Sequence, residues 1–121
     1  DEAFDAVRTG RPFNVIYMPL AFKFDFFTAN AFPLGAQELD RAVFLGETGL
    51  SESPTPFVTP EDILLAKLHW YREGGERSEV QWRDIRGVVI ASGARLDREY
   101  LFQSADVIGL GALLAKSLEE A

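Results

Sequence analysis

Two lysines and two aspartates lie at positions where their charges could take part in chemistry. Lys23 and Asp25 belong to the sequence AFKFDFFT, whose alternating pattern predicts a β-strand with both charges on one face. A strand carboxylate beside a lysine could bind a divalent cation or act as a base. The same pattern is typical of a solvated ion pair on the outer face of a sheet, so both interpretations remain open.

Lys67 and Asp84 lie on two consecutive predicted helices, and each has apolar neighbours. Lys67 has apolar or aromatic residues three and four positions away in both directions, and Asp84 lies four positions from a valine on each side. Because burying an unpaired charge is unfavourable, we expect the two charges to pair with each other or Lys67 to bind an anion such as a nucleotide phosphate. Arg83 and Asp84 would then position Lys67 and hold the helices together.

The remaining polar residues give weaker signals for catalysis. His69 is the only histidine, and without neighbouring cysteines or converging acids it is typical of a surface residue rather than a metal ligand. No Ser-His-Asp or Cys-His arrangement can be assembled from the chain, which argues against a conventional hydrolase.

The elements that position these residues form a strand-rich part followed by a helical part. Residues 13–17 and 21–28 predict an antiparallel hairpin, and we expect helices to cover the face of its second strand that carries Phe22, Phe24 and Phe26. Thr59 and Ser78 are predicted N-caps of the two central helices, which Gly74 and Gly75 separate. Further local signals predict short strands at 42–47 and 55–58, and helices at 1–9, 33–41, 97–107 and 110–121. The order predicts one α+β domain, with a small, mostly antiparallel sheet in residues 1–58 and a C-terminal helical bundle in residues 59–121.

Composition argues against several classes of protein. The 12 Lys and Arg residues against 19 Asp and Glu give a net charge of −7, which disfavours direct DNA binding. The absence of cysteine excludes a disulfide framework and a thiolate metal site, and it fits the cytoplasm. No apolar run reaches the length of a membrane span, so no membrane association is expected.

The chain resembles the C-terminal two-thirds of bacterial nucleotidyltransferase-like proteins in two strings, FNVIYMPLAFKFDFF and TPEDILLAKLHWYREGGERSEVQWRDI. These proteins belong to the DNA polymerase β-type superfamily, near the abortive-infection toxins of type IV toxin–antitoxin systems. The resemblance implies transfer of a nucleotidyl group from a magnesium nucleoside triphosphate. It assigns Asp25 as a catalytic, Mg²⁺-binding acid, Lys67 and Lys23 as substrate contacts, and Arg83 with Asp84 as the matching Arg-Asp pair.

One part of the family pattern has no counterpart in this sequence. Catalytic members carry a Gly-Gly or Gly-Ser turn followed by two metal-binding acids one residue apart, and no such segment occurs here. We therefore expect an upstream segment to be missing or the protein to be degenerate, and the chain by itself to be inactive. The alternative is a non-catalytic interaction module, either a toxin–antitoxin component or a homodimer, whose aromatic residues would be left exposed.

Overall fold

The structure, a computed structural model, describes residues 1–46 and 52–121, which form two compact units. We call Asp1–Asp40 the hairpin unit and Arg41–Ala121 the helical unit. The hairpin unit contains α1 (Glu2–Thr9), β1 (Phe13–Tyr17), β2 (Phe22–Phe26) and α2 (Gly35–Asp40). The helical unit contains β3 (Val43–Leu45), β4 (Thr55–Phe57), α3 (Pro60–Glu73), α4 (Glu79–Ser92), α5 (Arg98–Val107) and α6 (Gly111–Glu120).

The fold class is α+β, as predicted. The described strands pair as two separate antiparallel sheets of two strands each, rather than as one sheet, and a bundle of four helices follows them in the chain. The pairs are β1 with β2 and β3 with β4. Residue 47, the end of the strand predicted at 42–47, lies outside the described residues.

Local chemistry explains the start of the hairpin unit. The Asp1 side chain accepts a hydrogen bond from the Ala3 amide and caps α1. Gly10 ends this helix in the left-handed conformation, with φ of 70°, as the sequence predicts. The chain then enters the β1–β2 hairpin, whose connection runs through a 3₁₀ turn at Met18–Leu20.

The β1–β2 hairpin places its aromatic residues on one exposed face. Its register sets Val15 opposite Phe24 and Phe13 opposite Phe26, and the two rings of the latter pair stack at 5.0 Å. All five residues of β2 are exposed. The predicted hairpin is confirmed, but the expected cover over its phenylalanine face is not found among the residues that the structure describes, since Phe22 is 59% exposed.

The two central helices of the helical unit begin where their caps predict. Thr59 Oγ1 accepts a hydrogen bond from the Asp62 amide at 3.2 Å, and Ser78 Oγ accepts one from the Gln81 amide, also at 3.2 Å. Pro60 occupies the first position of α3, where a missing N–H does no harm. Gly75, with φ of +82°, lies in the turn between the helices.

Leucine packing and two polar contacts hold the four helices together. The described core residues with no exposed surface are Leu64, Leu65, Leu68, Ile85, Leu101, Ala105, Leu110 and Leu114. At the start of α3, Glu61 Oε1 accepts a hydrogen bond from the Asp97 amide at 2.8 Å. At its end, Arg72 Nη1 donates to the carbonyls of Ile108 at 2.8 Å and Gly109 at 3.1 Å. Among the described residues, no helix is both long and apolar enough to cross a membrane.

Candidate functional site

Lys23 and Asp25 form an ion pair on the surface of the hairpin unit. Lys23 Nζ lies 3.3 Å from Asp25 Oδ1, and the two side chains are 58% and 52% exposed. Strand alternation explains the contact, because residues two apart on β2 project from the same face. This arrangement matches the solvated-pair interpretation of the sequence.

The surroundings of Asp25 do not fit a magnesium site. Mg²⁺ prefers several oxygen ligands in octahedral geometry, and the ammonium of Lys23 occupies the position beside this carboxylate. Within residues 1–46 and 52–121, no three histidine, aspartate or glutamate side chains come together where they could hold a metal ion.

Lys67 and Asp84 do not form the predicted ion pair. Lys67 is half-buried on α3, Asp84 is exposed on α4, and the described part of the chain shows no salt bridge between them. The prediction that Asp84 lies on a buried face was therefore wrong. The helix packs through Ile85 and Val89, whereas Val80, four positions from Asp84, is itself 58% exposed. Of the two valines that flank Asp84, Val80 faces solvent and Val88 is only half-buried.

Two acids in the first turn of α3, Glu61 and Asp62, are buried, and Asp62 is the more deeply buried of the two. Its side chain is 2% exposed, and its Oδ2 accepts hydrogen bonds from Arg41 Nε at 3.1 Å and Thr59 Oγ1 at 2.9 Å. The hydroxyl of Tyr100 donates to Oδ1, and the Arg41 guanidinium lies 3.6 Å from the centre of the Tyr100 ring. Both carboxylate oxygens are thus used within the fold, which indicates a structural role.

A second group of charged residues surrounds a cavity at the turn between α3 and α4. The cavity has a volume of about 430 Å³. Its walls consist of two aromatic residues, two glutamates and three arginines, namely Tyr71, Trp82, Glu76, Glu79, Arg77, Arg83 and Arg86. We call this cavity the arginine pocket. Arg83 is the one predicted site residue that lines it, and Lys67 and Asp84 do not.

Contacts around the pocket fix its aromatic side chains. Tyr71 is buried, and its hydroxyl donates a hydrogen bond to the Glu76 carbonyl at 2.9 Å. Its ring packs against Trp82 with 5.1 Å between centroids. Trp82 Nε1 donates to Glu120 Oε2 at 2.7 Å, and Lys116 Nζ lies 4.8 Å from the centre of its ring. These contacts hold one wall of the pocket in a defined shape.

The three arginines give the pocket a positive character. Arg77, Arg83 and Arg86 are all exposed, and none of them makes a salt bridge with another described residue. Arg83 and Arg86 are three positions apart on α4 and so lie on neighbouring parts of one helix face. Three positive side chains against two glutamates leave a net local charge of +1, and the first amides of α4 add a partial positive charge. The pocket can therefore attract a small anion.

The hairpin unit has a cavity of its own, beside α1 and β1. Its volume is about 590 Å³, and its charged lining consists of three acids and one arginine, Asp1, Glu2, Asp5 and Arg11. Asp1 caps α1, and Asp5 Oδ1 lies 3.5 Å from Arg8 Nη2. These contacts are local to the helix and do not form a set of converging groups that could bind a defined ligand.

His69 is buried instead of lying at the surface or its rim, where the sequence predicts it. It is 7% exposed, and its ring meets the Trp70 ring edge-on at 4.9 Å between centroids. Burial lowers the pKa of His69 below its ordinary value of 6.5, while Glu73 raises it and Arg72 lowers it. The prediction of a surface histidine was wrong because His69 follows Leu68 directly, on the edge of the buried stripe of α3.

Comparison with protein-family models, curated proteins and solved structures finds no match to this chain. The nucleotidyltransferase-like assignment therefore remains a prediction from the two sequence strings.

Proposed function

We propose that the helical unit binds the phosphate groups of a nucleotide in the arginine pocket, as the substrate-binding part of a nucleotidyltransferase-like protein. The observation that carries the proposal is the grouping of Arg77, Arg83 and Arg86 around one cavity without intramolecular salt bridges among the described residues. Guanidinium groups that have no carboxylate partner keep their N–H donors for a ligand.

Phosphate is the anion that best matches this group of side chains. A guanidinium presents a planar set of donors that can bind two phosphate oxygens at once, and several arginines together match the multiple charges of a phosphate chain. The cavity volume of about 430 Å³ lies within the range of small-molecule sites. The chain's net charge of −7 disfavours a long polyanion such as DNA, whereas a short ligand meets mainly the local field of the pocket.

Lys67 lies outside the lining of the arginine pocket, one helical turn before Tyr71, and is a second candidate contact for a part of the nucleotide that extends beyond the pocket. It is half-buried, and within the described residues it has no salt-bridge partner, so its ammonium is available to a phosphate oxygen. Nucleotidyl transfer from a magnesium nucleoside triphosphate is the activity that the resemblance implies, and two of the metal-binding acids that it needs have no counterpart in this sequence. The surroundings of Asp25 do not fit Mg²⁺, so we propose nucleotide binding, and not nucleotidyl transfer, for the residues of this chain.

Calorimetric titration of the chain with ATP, with and without Mg²⁺, tests the proposal. We expect a saturable isotherm that inorganic triphosphate competes away, since the phosphate groups provide the recognition. Arg83→Met removes one charged donor set and keeps much of the side-chain volume. Hydrogen bonds to charged groups contribute about 1.5–3 kcal/mol, so the affinity should fall roughly 10-fold to 150-fold.

Arg98→Met is the matched control, because Arg98 is also an exposed helical arginine but does not line the pocket. It removes the same charge from the protein and should change the affinity less than about twofold, since exposed charges act weakly at a distance. The parent chain failing to bind, or the two variants losing affinity equally, would contradict the proposal. Lys67→Met in the same assay shows whether Lys67 contributes.

A second candidate function, a non-catalytic interaction module, rests on a different observation. The β1–β2 hairpin exposes a row of aromatic and aliphatic side chains, including Phe22, Phe24 and Val15. Large exposed apolar patches on small proteins commonly mark interaction surfaces. This observation concerns the hairpin unit alone and is independent of the arginine pocket.

A further inference from the structure

We propose that β2 is the interface of a homodimer, in which the β2 strand of a second copy pairs with it in antiparallel orientation. The two hairpins would then form one four-stranded sheet, with a twofold axis midway between the Phe24 residues of the two copies. The proposal gives the interaction-module alternative a defined surface and partner. It does not depend on nucleotide binding.

The edge of β2 is open for such a partner. In the described part of the chain, β2 pairs with β1 and with no other strand, so one row of its backbone donors and acceptors lacks a strand partner. Such edges are templates for further pairing, and proteins usually protect them with charged side chains (lysine above all), proline, bulges or very short strands. The charges of β2 are one lysine and one aspartate, which an antiparallel second copy would pair with each other. β2 has five residues in regular register with β1 and contains no proline. A two-stranded hairpin is also only marginally stable without further cover.

The sequence of β2 is complementary to itself. Its order is Phe22, Lys23, Phe24, Asp25, Phe26, so reversing the strand exchanges a positive for a negative residue and leaves aromatic residues in place. An antiparallel copy centred on Phe24 sets Lys23 of each chain opposite Asp25 of the other. It also sets Phe22 opposite Phe26 and Phe24 opposite itself. Every cross-strand pair is then favourable.

Other registers are unfavourable for reasons that the same residues supply. A shift by two residues sets Lys23 opposite Lys23, or Asp25 opposite Asp25, and like charges directly opposite are destabilising. A shift by one residue sets a charge opposite a phenylalanine on the same face. Parallel pairing in register also brings like charges together. β1, with the sequence FNVIY, has no charges that could select a register. These differences favour β2 over β1 as the interface strand, and they favour the antiparallel β2 of a second copy as its partner.

The twofold arrangement agrees with the exposure and charge of the strand. Lys23 and Asp25 already lie 3.3 Å apart on one face, so the dimer would join two such pairs into an alternating group of four charges. The phenylalanines of both strands would form one continuous row on the opposite face. Homodimers with a twofold axis use the same surface on both subunits, as this strand requires.

Charge exchange tests the proposal, with sedimentation equilibrium as the measurement. The parent chain should show a concentration-dependent dimer. Lys23→Asp and Asp25→Lys each set like charges opposite each other at two places in the dimer, and each should weaken dimerisation at least about tenfold. The double variant with both changes restores opposite charges and should dimerise like the parent.

An equimolar mixture of the two single variants gives the sharpest result. One chain then has two acids on β2 and the other has two lysines, so we expect a heterodimer although each variant alone is monomeric. This recovery also shows that both variants are folded. Hydrogen exchange locates the interface, because the amides of β2 should gain protection as the parent concentration rises.

Two outcomes would overturn the proposal. A parent chain that stays monomeric at every concentration would show that a second copy does not pair with β2, and a strand of another polypeptide would then be the candidate partner. A parent dimer that neither single variant weakens would place the interface elsewhere. Neither outcome affects the ATP titration, which measures the helical unit, so a failure here can be distinguished from a failure of the nucleotide proposal.

Discussion

The helix bundle of the helical unit and the β1–β2 hairpin of the hairpin unit differ in how far they bury their apolar side chains. Leu64, Leu68 and Leu101 have no exposed surface in the helical unit, whereas Phe22 and Phe24 of the hairpin unit are 59% and 51% exposed. The helices of the bundle cover one another's apolar stripes, because each packs against several neighbours. A two-stranded hairpin has an apolar face that its own two strands cannot cover, and it needs a further element packed against that face.

This contrast shows which parts of the chain bury their apolar surface with their own residues and which do not. The helical unit buries its leucine core and provides hydrogen-bond partners for the buried Asp62 from its own residues. Its exposed arginines are available for a ligand. The hairpin unit leaves both an apolar face and a strand edge exposed. We therefore expect substitutions in the β1–β2 hairpin to change association, and substitutions in the core of the helical unit to change stability.

The largest expected effect comes from truncating a core leucine. Leu68→Ala removes a fully buried side chain and leaves a cavity, so the free energy of unfolding should fall by about 3–5 kcal/mol. Phe24→Ala removes a larger side chain from an exposed position and should change the free energy by less than about 1 kcal/mol in dilute protein. Urea unfolding followed by circular dichroism measures both. Equal losses for the two variants would mean that the hairpin face is buried in solution.

A somewhat smaller effect is expected from the buried acid. Asp62→Asn removes the charge that Arg41, Thr59 and Tyr100 contact, and breaking a buried ion pair on one side costs about 3 kcal/mol. Asp84→Asn is the control, because this acid is exposed and should stay within about 0.5 kcal/mol of the parent. The same urea titration applies. A greater loss for Asp84→Asn would restore the sequence-based assignment of that residue as the buried acid.

The smallest expected effect is a pH dependence that His69 causes. Because burial lowers its pKa in the folded protein, the unfolded chain binds the proton more readily, and protonation favours unfolding. Stability should therefore be complete above the ordinary value of 6.5 and decrease as the pH falls below it. His69→Gln, which cannot be protonated in this range, should lack this decrease. Unfolding free energies measured from about pH 5 to pH 8 decide the matter, and parallel profiles for both proteins would contradict it.

Local signals in the sequence predicted much of the secondary structure. Gly10 as a helix stop and Thr59 and Ser78 as helix caps act over a few residues, and the structure confirms each of them. The alternation around Phe24 likewise predicted β2 and its hairpin. These features depend on side-chain hydrogen bonds and backbone geometry within one turn, so the sequence contains the necessary information.

The charged residues of the helical unit were harder to predict, because their surroundings depend on packing between distant parts of the chain. Asp62 has the pattern of an ordinary first-turn acid, while its partners Arg41 and Tyr100 are 21 and 38 positions away. α4 carries apolar residues on more than one side, including the exposed Val80 and the buried Ile85, so periodicity alone misplaced Asp84. The arginine pocket also forms only when Tyr71 and Trp82 pack together.

The two polar contacts that α3 makes with the segment around α5 limit how that segment can change in length. Glu61 accepts a hydrogen bond from the Asp97 amide just before α5, and Arg72 donates to the carbonyls of Ile108 and Gly109 just after it. α3 and α5 therefore run in the same direction, and the spacing along one helix must match the spacing along the other. One added or deleted residue in α5 would shift its far end by about 1.5 Å and rotate it by roughly 100°. A substitution at an exposed position of this helix should therefore cost less stability than one inserted or deleted residue within it.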